Sequence, residues 1–358
     1  MSEEMTVRND AVPEMLPQYK KTALLIGTYV MVMFVLRYIA VVVINLTDAA
    51  LTDKVSYETG YIIKLSLSGL FLQILPSVIG AFMFGYLGKN GRGLKCLYTI
   101  PRSSTRAIGN FSAVYGFAQM FNLLTIIITY IFTSNADLSR KLNTVTKSAG
   151  AGMTGAWFMF FMLVVIAPVF EEFIFRGVIL NALKPYGNGL SIFVSGILFG
   201  IYHGNFQQCF YTAAAGIALS YIANVTGSIF PTTVIHAIMN SLGGIMLLFM
   251  NTDAVQTYVL NGNEEAIPDS EMIWVALYGI FMVSLLIFIL VGFIAAIMKI
   301  RRMKRFRTPK VWGEVTNGKK VSMLVLTVPA VISALMIIDI YGGFSETWFA
   351  NMLRGTVQ

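Results

Sequence analysis

The chain has 358 residues, 56% of them hydrophobic and 12% charged, with a mean hydropathy of +0.71. Soluble domains carry about a quarter charged residues, so this composition excludes a soluble globular protein and points to an integral membrane protein. The formal charge of +8 does not indicate a nucleic-acid partner, because the Lys and Arg residues cluster between apolar runs, as cytoplasmic membrane loops do.

The first segment, Met1 to Lys21, is polar and mixed in charge and lacks a cleavable signal pattern. The first apolar run is therefore expected to act as an uncleaved anchor. Runs of spanning length follow at about 22–46, 61–87, 107–133, 153–176, 190–205, 210–225, 231–250, 272–298 and 321–342, the fifth and sixth short. This pattern predicts an all-α fold, a polytopic membrane helix bundle of about eight or nine transmembrane helices. About three helices belong to residues 1–149, a core of four to 150–250, and about two to 251–358.

Charge sets the expected orientation. With the N-terminus inside, inward segments carry eighteen Lys and Arg residues and outward segments five, Lys54, Arg140, Lys141, Lys147 and Arg354. This bias predicts a cell-membrane protein with a cytoplasmic N-terminus and, with an odd span count, an outward C-terminus. The loop 251–271 carries Asp253, Glu264, Glu265, Asp269 and Glu271 and no basic residue, which agrees. The basic stretch Lys299 to Lys310 is read as topology signal, and it can also touch anionic lipid heads. Cys96 and Cys209 are expected at opposite ends of the membrane and not in a disulfide; neither has metal-ligand spacing. No repeat or long soluble segment is evident.

The stretch Ala167-Pro168-Val169-Phe170-Glu171-Glu172-Phe173-Ile174-Phe175-Arg176-Gly177 places three charges inside an apolar run. Charges there are expensive and are paired, functional or both. Glu172 and Arg176 are spaced i,i+4 and suit an ion pair. Glu171 lies about 100° round the helix from Glu172 and has no local cation, so it is a candidate general base. The chain's two histidines, His203 and His236, both fall in apolar runs. Phe199 and His203 share a helix face, as do His236 and Asn240. The last two offer donors for a developing oxyanion; a polar helix–helix contact is the plainer alternative.

The turn Lys184-Pro185-Tyr186-Gly187-Asn188-Gly189 has the breakers of a helical hairpin. Glu171 lies sixteen residues before Gly187 and His203 sixteen after it. An antiparallel hairpin brings both to one level, roughly 20 Å from the turn. His236 lies five residues after Pro231, so the three meet only if the hairpin projects into the cytoplasm, with the site in the inner half of the bilayer.

Glu171-Glu172-x-x-x-Arg176, Phe199-x-x-x-His203 and His236-x-x-x-Asn240, in this order, resemble the CPBP family of CAAX prenyl endopeptidases and bacteriocin-processing enzymes, which are intramembrane glutamic proteases. The approach Thr226-Gly227-Ser228-Ile229-Phe230-Pro231 is similar too. The resemblance covers about residues 150–245. It implies that Glu171 and His203 activate water, that His236 and Asn240 hold the oxyanion, and that Glu172, Arg176 and Phe199 support the site. It also implies a peptide or protein substrate, such as a leader peptide or a prenylated protein, in a lipid setting.

Three other readings stand beside it. A zinc protease needs three ligands, usually on an HExxH helix, and that motif is absent; no metal or other cofactor is expected. A proton-coupled transporter also carries Glu, His and Arg in its spans, but tends to show internal repeats. A non-catalytic immunity or binding protein on the same fold is the third. Arg37 and Asp339, in the first and last runs, are read as a structural pair. Oligomeric state is not legible in the sequence.

Overall fold

The computed structural model of the chain describes residues 12–86, 97–132, 152–261, 267–301 and 317–342, and all regular structure among them is helical. The helices of nine residues or more are α1 (Val12–Leu51), α2 (Tyr57–Met83), α3 (Phe111–Phe132), α4 (Gly152–Tyr186), α5 (Asn188–Tyr202), α6 (Phe206–Thr226), α7 (Phe230–Met250), α8 (Asp253–Asn261), α9 (Met272–Ile300), α10 (Asn317–Val325) and α11 (Val328–Gly342). Seven are long and apolar enough to cross a membrane, and α10 with α11, bent by 79° at their junction, make eight if counted as one broken span. The protein is an all-α polytopic bundle.

The nine apolar runs of the sequence overcount the long spans. The fifth forms α5, of 15 residues, about 22 Å at the helical rise and shorter than the roughly 30 Å hydrocarbon core. Hydropathy registers how apolar a run is, but a turn at one end and a polar cap at the other decide how much of it is one helix. Cys96 lies outside the described residues. So does the side chain of Asp339, and the pairing expected for it with Arg37 lies there too. The Arg37 guanidinium donates to the carbonyls of Tyr202 (2.7 Å) and His203 (3.2 Å), at the C-terminal end of α5.

Proline shapes the two helices that matter most. Proline has no N–H and clashes with the carbonyl four residues before it. Just ahead of Pro76 the backbone of α2 widens into a π-turn, Leu70–Ile74, and just ahead of Pro168 that of α4 widens at Met162–Ile166. Each deviation frees a carbonyl, and each is claimed by a side chain from another helix. Tyr202 Oη donates to Leu72 O (2.8 Å), and Asn240 Nδ2 donates to Leu163 O (2.8 Å). In lipid an orphaned carbonyl is costly, so these are bonds that hold helices in register. A longer π-helical stretch, Phe173–Leu180, follows the glutamates. Ser195 Oγ supports it at Phe175 O (2.8 Å) and Tyr86 Oη at Gly177 O (2.6 Å).

The hairpin tip between α4 and α5 turns at Gly187, whose φ of 139° suits glycine alone. Tyr186 there meets Thr22 near the start of α1 (2.9 Å), and its carbonyl accepts from Lys320 Nζ (3.1 Å). Tyr19 donates to Lys320 O (2.6 Å). The segment Leu97–Thr99 accepts from Ser228 Oγ and from Ile229 N, just before α7. Segments rich in basic residues are thus gathered at one end of the bundle. At the other end, Asp48 pairs with Lys64 (2.8 Å), and Glu58 accepts from Gly155 N at the start of α4 (3.1 Å).

Helices α5 and α6 run backbone against backbone. A Cβ at Gly196 falls 2.5 Å from the backbone nitrogen of Ile217, and one at Gly216 falls 2.8 Å from Gly196 O. Small residues allow such approach where lipid offers no hydrophobic drive between helices. Gly196→Val is expected to force the pair apart, at a cost of about 1–3 kcal/mol or more. The check is a lower melting temperature in detergent than for a Val substitution at the open Gly243.

Candidate active site

The site is built from four helices. Glu171, Glu172 and Arg176 come from α4, His203 from the residue after α5, His236 and Asn240 from α7, and Gln73 from the π-turn of α2. Glu172 and Arg176 are both fully buried and joined by an Arg176 Nη1–Glu172 Oε1 contact of 2.9 Å. Their segment runs into π-helix where the spacing anticipates regular α-helix, yet the i,i+4 pair still meets. Arg176 Nη2 donates to Gly216 O (3.0 Å), an acceptor reachable only because α5 and α6 are so close. The guanidinium carbon lies 4.6 Å from the centroid of the Phe199 ring, in cation–π range.

Phe199 is the hub of the site. Besides Arg176 on its face, it meets His203 at 4.9 Å and His236 at 5.6 Å between ring centroids, both edge to face. Both histidines thus flank the same ring. Since His236 is only five residues beyond Pro231, the hairpin tip extends about 15 Å further along the bundle than the start of α7.

Each imidazole has one nitrogen committed. His203 Nδ1 donates to Phe199 O (2.8 Å), which leaves Nε2 as the acceptor of the neutral ring. His236 Nδ1 donates to Glu172 Oε1 (3.0 Å), and its Nε2 lies 3.8 Å from Glu171 Oε2. Glu171 is 13% exposed, against 0% for Glu172, and accepts from Gln73 Nε2 (3.4 Å). The two adjacent carboxylates therefore differ in kind: Glu172 is sealed against a cation, and Glu171 stays reachable. Glu171 and His203 do not lie within ion-pair distance of each other.

Three features go beyond the sequence reading. His236, expected beside Asn240 as an oxyanion donor, is bound to Glu172 and faces Glu171. Asn240 spends one amide hydrogen on the carbonyl freed near Pro168. Gln73 is not among the residues the sequence pattern singles out, although an amide three residues before a proline in an apolar span is a signal of the same kind as the intramembrane charges. Outside the spans, Tyr98 donates to Val169 O (3.1 Å); burial, with the Glu172 charge adding to it, pushes its hydroxyl up to about 12, so it remains a neutral donor. Among the described residues no group of three or more His, Cys, Asp or Glu side chains is arranged to hold a metal ion.

Fold and site together define a multi-pass membrane protein with its intramembrane polar groups gathered into one centre. Residues 153–242 match the family model described as type II CAAX prenyl endopeptidase Rce1-like. The matched stretch includes Glu171, Glu172, Arg176, Phe199, His203, His236 and Asn240, and leaves out Gln73 and Tyr98. No curated protein and no solved structure matches the chain.

Glu172→Gln leaves Arg176 buried without its anion. Breaking a buried pair costs on the order of 3–5 kcal/mol. The variant is expected to melt well below the wild type and to accumulate poorly in membranes, measured by quantitative blotting and a thermal shift in detergent.

Proposed function

We propose that the protein is an intramembrane endopeptidase in which Glu171 is the general base and hydrolysis proceeds without a metal. The observation that carries this reading is the inequivalence of the glutamates: one is sealed in an ion pair, and its neighbour is oriented and reachable. A water between Glu171 and His203 attacks the peptide carbonyl. The new C–O bond forms as one water proton passes to Glu171, with His203 Nε2 accepting a hydrogen bond from the same water. The tetrahedral oxyanion is held by the second amide hydrogen of Asn240 and by Nε2 of His236. Because His236 Nδ1–H is already given to Glu172, Nε2 donates only when both ring nitrogens carry protons. Glu171 then returns its proton to the leaving nitrogen as the C–N bond breaks. Glu172, Arg176 and Phe199 keep the frame rigid.

The substrate in this reading is a peptide or a lipidated, membrane-associated protein, and a leader peptide and a prenylated C-terminus are the two classes considered. The basic segments gathered around the hairpin tip support a cytoplasmic N-terminus in the cell membrane and a site reached from that side. Cysteine-accessibility labelling at positions 99 and 53 checks this. Position 99 is expected to react from the cytoplasm and 53 from outside, and the reverse pattern overturns the orientation.

Glu171→Gln keeps shape and hydrogen-bonding capacity but cannot take the proton. Turnover is expected to fall about 10²–10⁴-fold with normal membrane accumulation. Cleavage of a co-expressed substrate, normalised to inserted protein, measures this. Normal cleavage by this variant removes Glu171 as the base, whereas a wild type that cleaves no candidate substrate leaves a transporter or a non-catalytic binding protein as the better reading. Wild-type activity is expected to survive strong chelation; loss restored by zinc makes Glu171 part of a metal site.

A further inference from the structure

The N-terminal spans lie outside the segment that matches the protease family, yet α2 forms a wall of the site. Ser77 Oγ donates to Phe170 O (3.4 Å), Gln73 Nε2 to Glu171 Oε1 (3.4 Å), and Tyr202 Oη to Leu72 O (2.8 Å). These three bonds fasten the broken turn of α2 to α4 immediately beside the glutamates and to the end of α5 beside His203. The break is set by Pro76, and the extra residue of the π-turn decides which side chain faces α4 at that level. Gln73 is the one delivered.

We infer that Gln73 is a positioning residue for the base, occupying Glu171 Oε1 so that Oε2, on the side of His236, is the oxygen that receives the proton. This role for Gln73 rests on the protease reading above. Gln73 is poorly justified as a stabilising residue. Its Oε1 is buried without a hydrogen-bond partner, which is unfavourable, and its bond to Glu171, at 3.4 Å, is long. An amide that leaves its own acceptor unsatisfied in a membrane interior, while gripping the one reachable carboxylate, fits a role in function at the expense of stability.

Gln73→Met separates the two possibilities, because it keeps length and volume while removing both polar atoms. Against a farnesylated, internally quenched peptide and its unprenylated counterpart, the variant is expected to lose about 10- to 100-fold in kcat, the scale of a displaced catalytic group. KM should stay within about twofold, since the base acts only in the transition state. The melting temperature in detergent should be unchanged or raised. Retained kcat, a rise in KM alone, or a lowered melting temperature each overturns the inference. Glu171→Gln is run alongside: if that variant is active, Glu171 is not the base and the proposed mechanism falls with the inference, whereas an inactive Glu171→Gln beside a normal Gln73→Met sinks only the role of Gln73. If the wild type cleaves neither peptide, the melting curve of Gln73→Met decides, a fall assigning Gln73 to the structure.

Discussion

The buried pair of Glu172 and Arg176 is the constraint on which the rest of the site depends. Both groups are fully buried in an apolar bundle, where neither charge is tolerable alone. Their mutual contact is not enough to satisfy them. Arg176 needs Gly216 O and the face of Phe199, and Glu172 needs His236 Nδ1. The demand of one ion pair for further partners thus draws α5, α6 and α7 around α4, and one side chain that meets it, His236, also faces Glu171.

Backbone defects do comparable work. A regular transmembrane helix satisfies all its own hydrogen bonds and offers its neighbours only side chains. Pro76 and Pro168 break that closure in α2 and α4, and the released carbonyls become docking points for Tyr202 and Asn240. Each of these polar side chains lies next to a histidine of the candidate site, Tyr202 beside His203 and Asn240 one turn from His236. The same interruptions that would weaken an isolated helix here fix its rotation against its neighbours. Arg37 adds a third such clamp at the end of α5, close against Gly204, whose φ of 67° and lack of a Cβ leave room for the guanidinium.

Glu171 is set apart by what it lacks. Adjacent in sequence to a sealed carboxylate, it has a long bond to an amide and a histidine at 3.8 Å. A group held in this way keeps its position but not a fixed charge partner, which is what proton transfer requires. The chemistry proposed for the protein follows from that difference in environment between two identical residues.

Much of this was legible in the sequence. Composition determined the membrane class, because apolar runs of this length have no other stable setting. The i,i+4 spacing of Glu172 and Arg176 determined their pairing, because helical geometry leaves little alternative. The equal separations about Gly187 put Glu171 and His203 at one depth for the same reason. Tertiary structure alone decided what crosses between helices. It tied His236 to Glu172, gave one amide hydrogen of Asn240 to Leu163, set Arg37 on the end of α5, and brought Gln73 to Glu171. It also reduced the fifth apolar run to a short helix and widened α2 and α4 into π-turns. These outcomes depend on helix rotation and relative depth, which periodicity within one helix does not encode, and on carbonyls that become acceptors only once proline has displaced their partners.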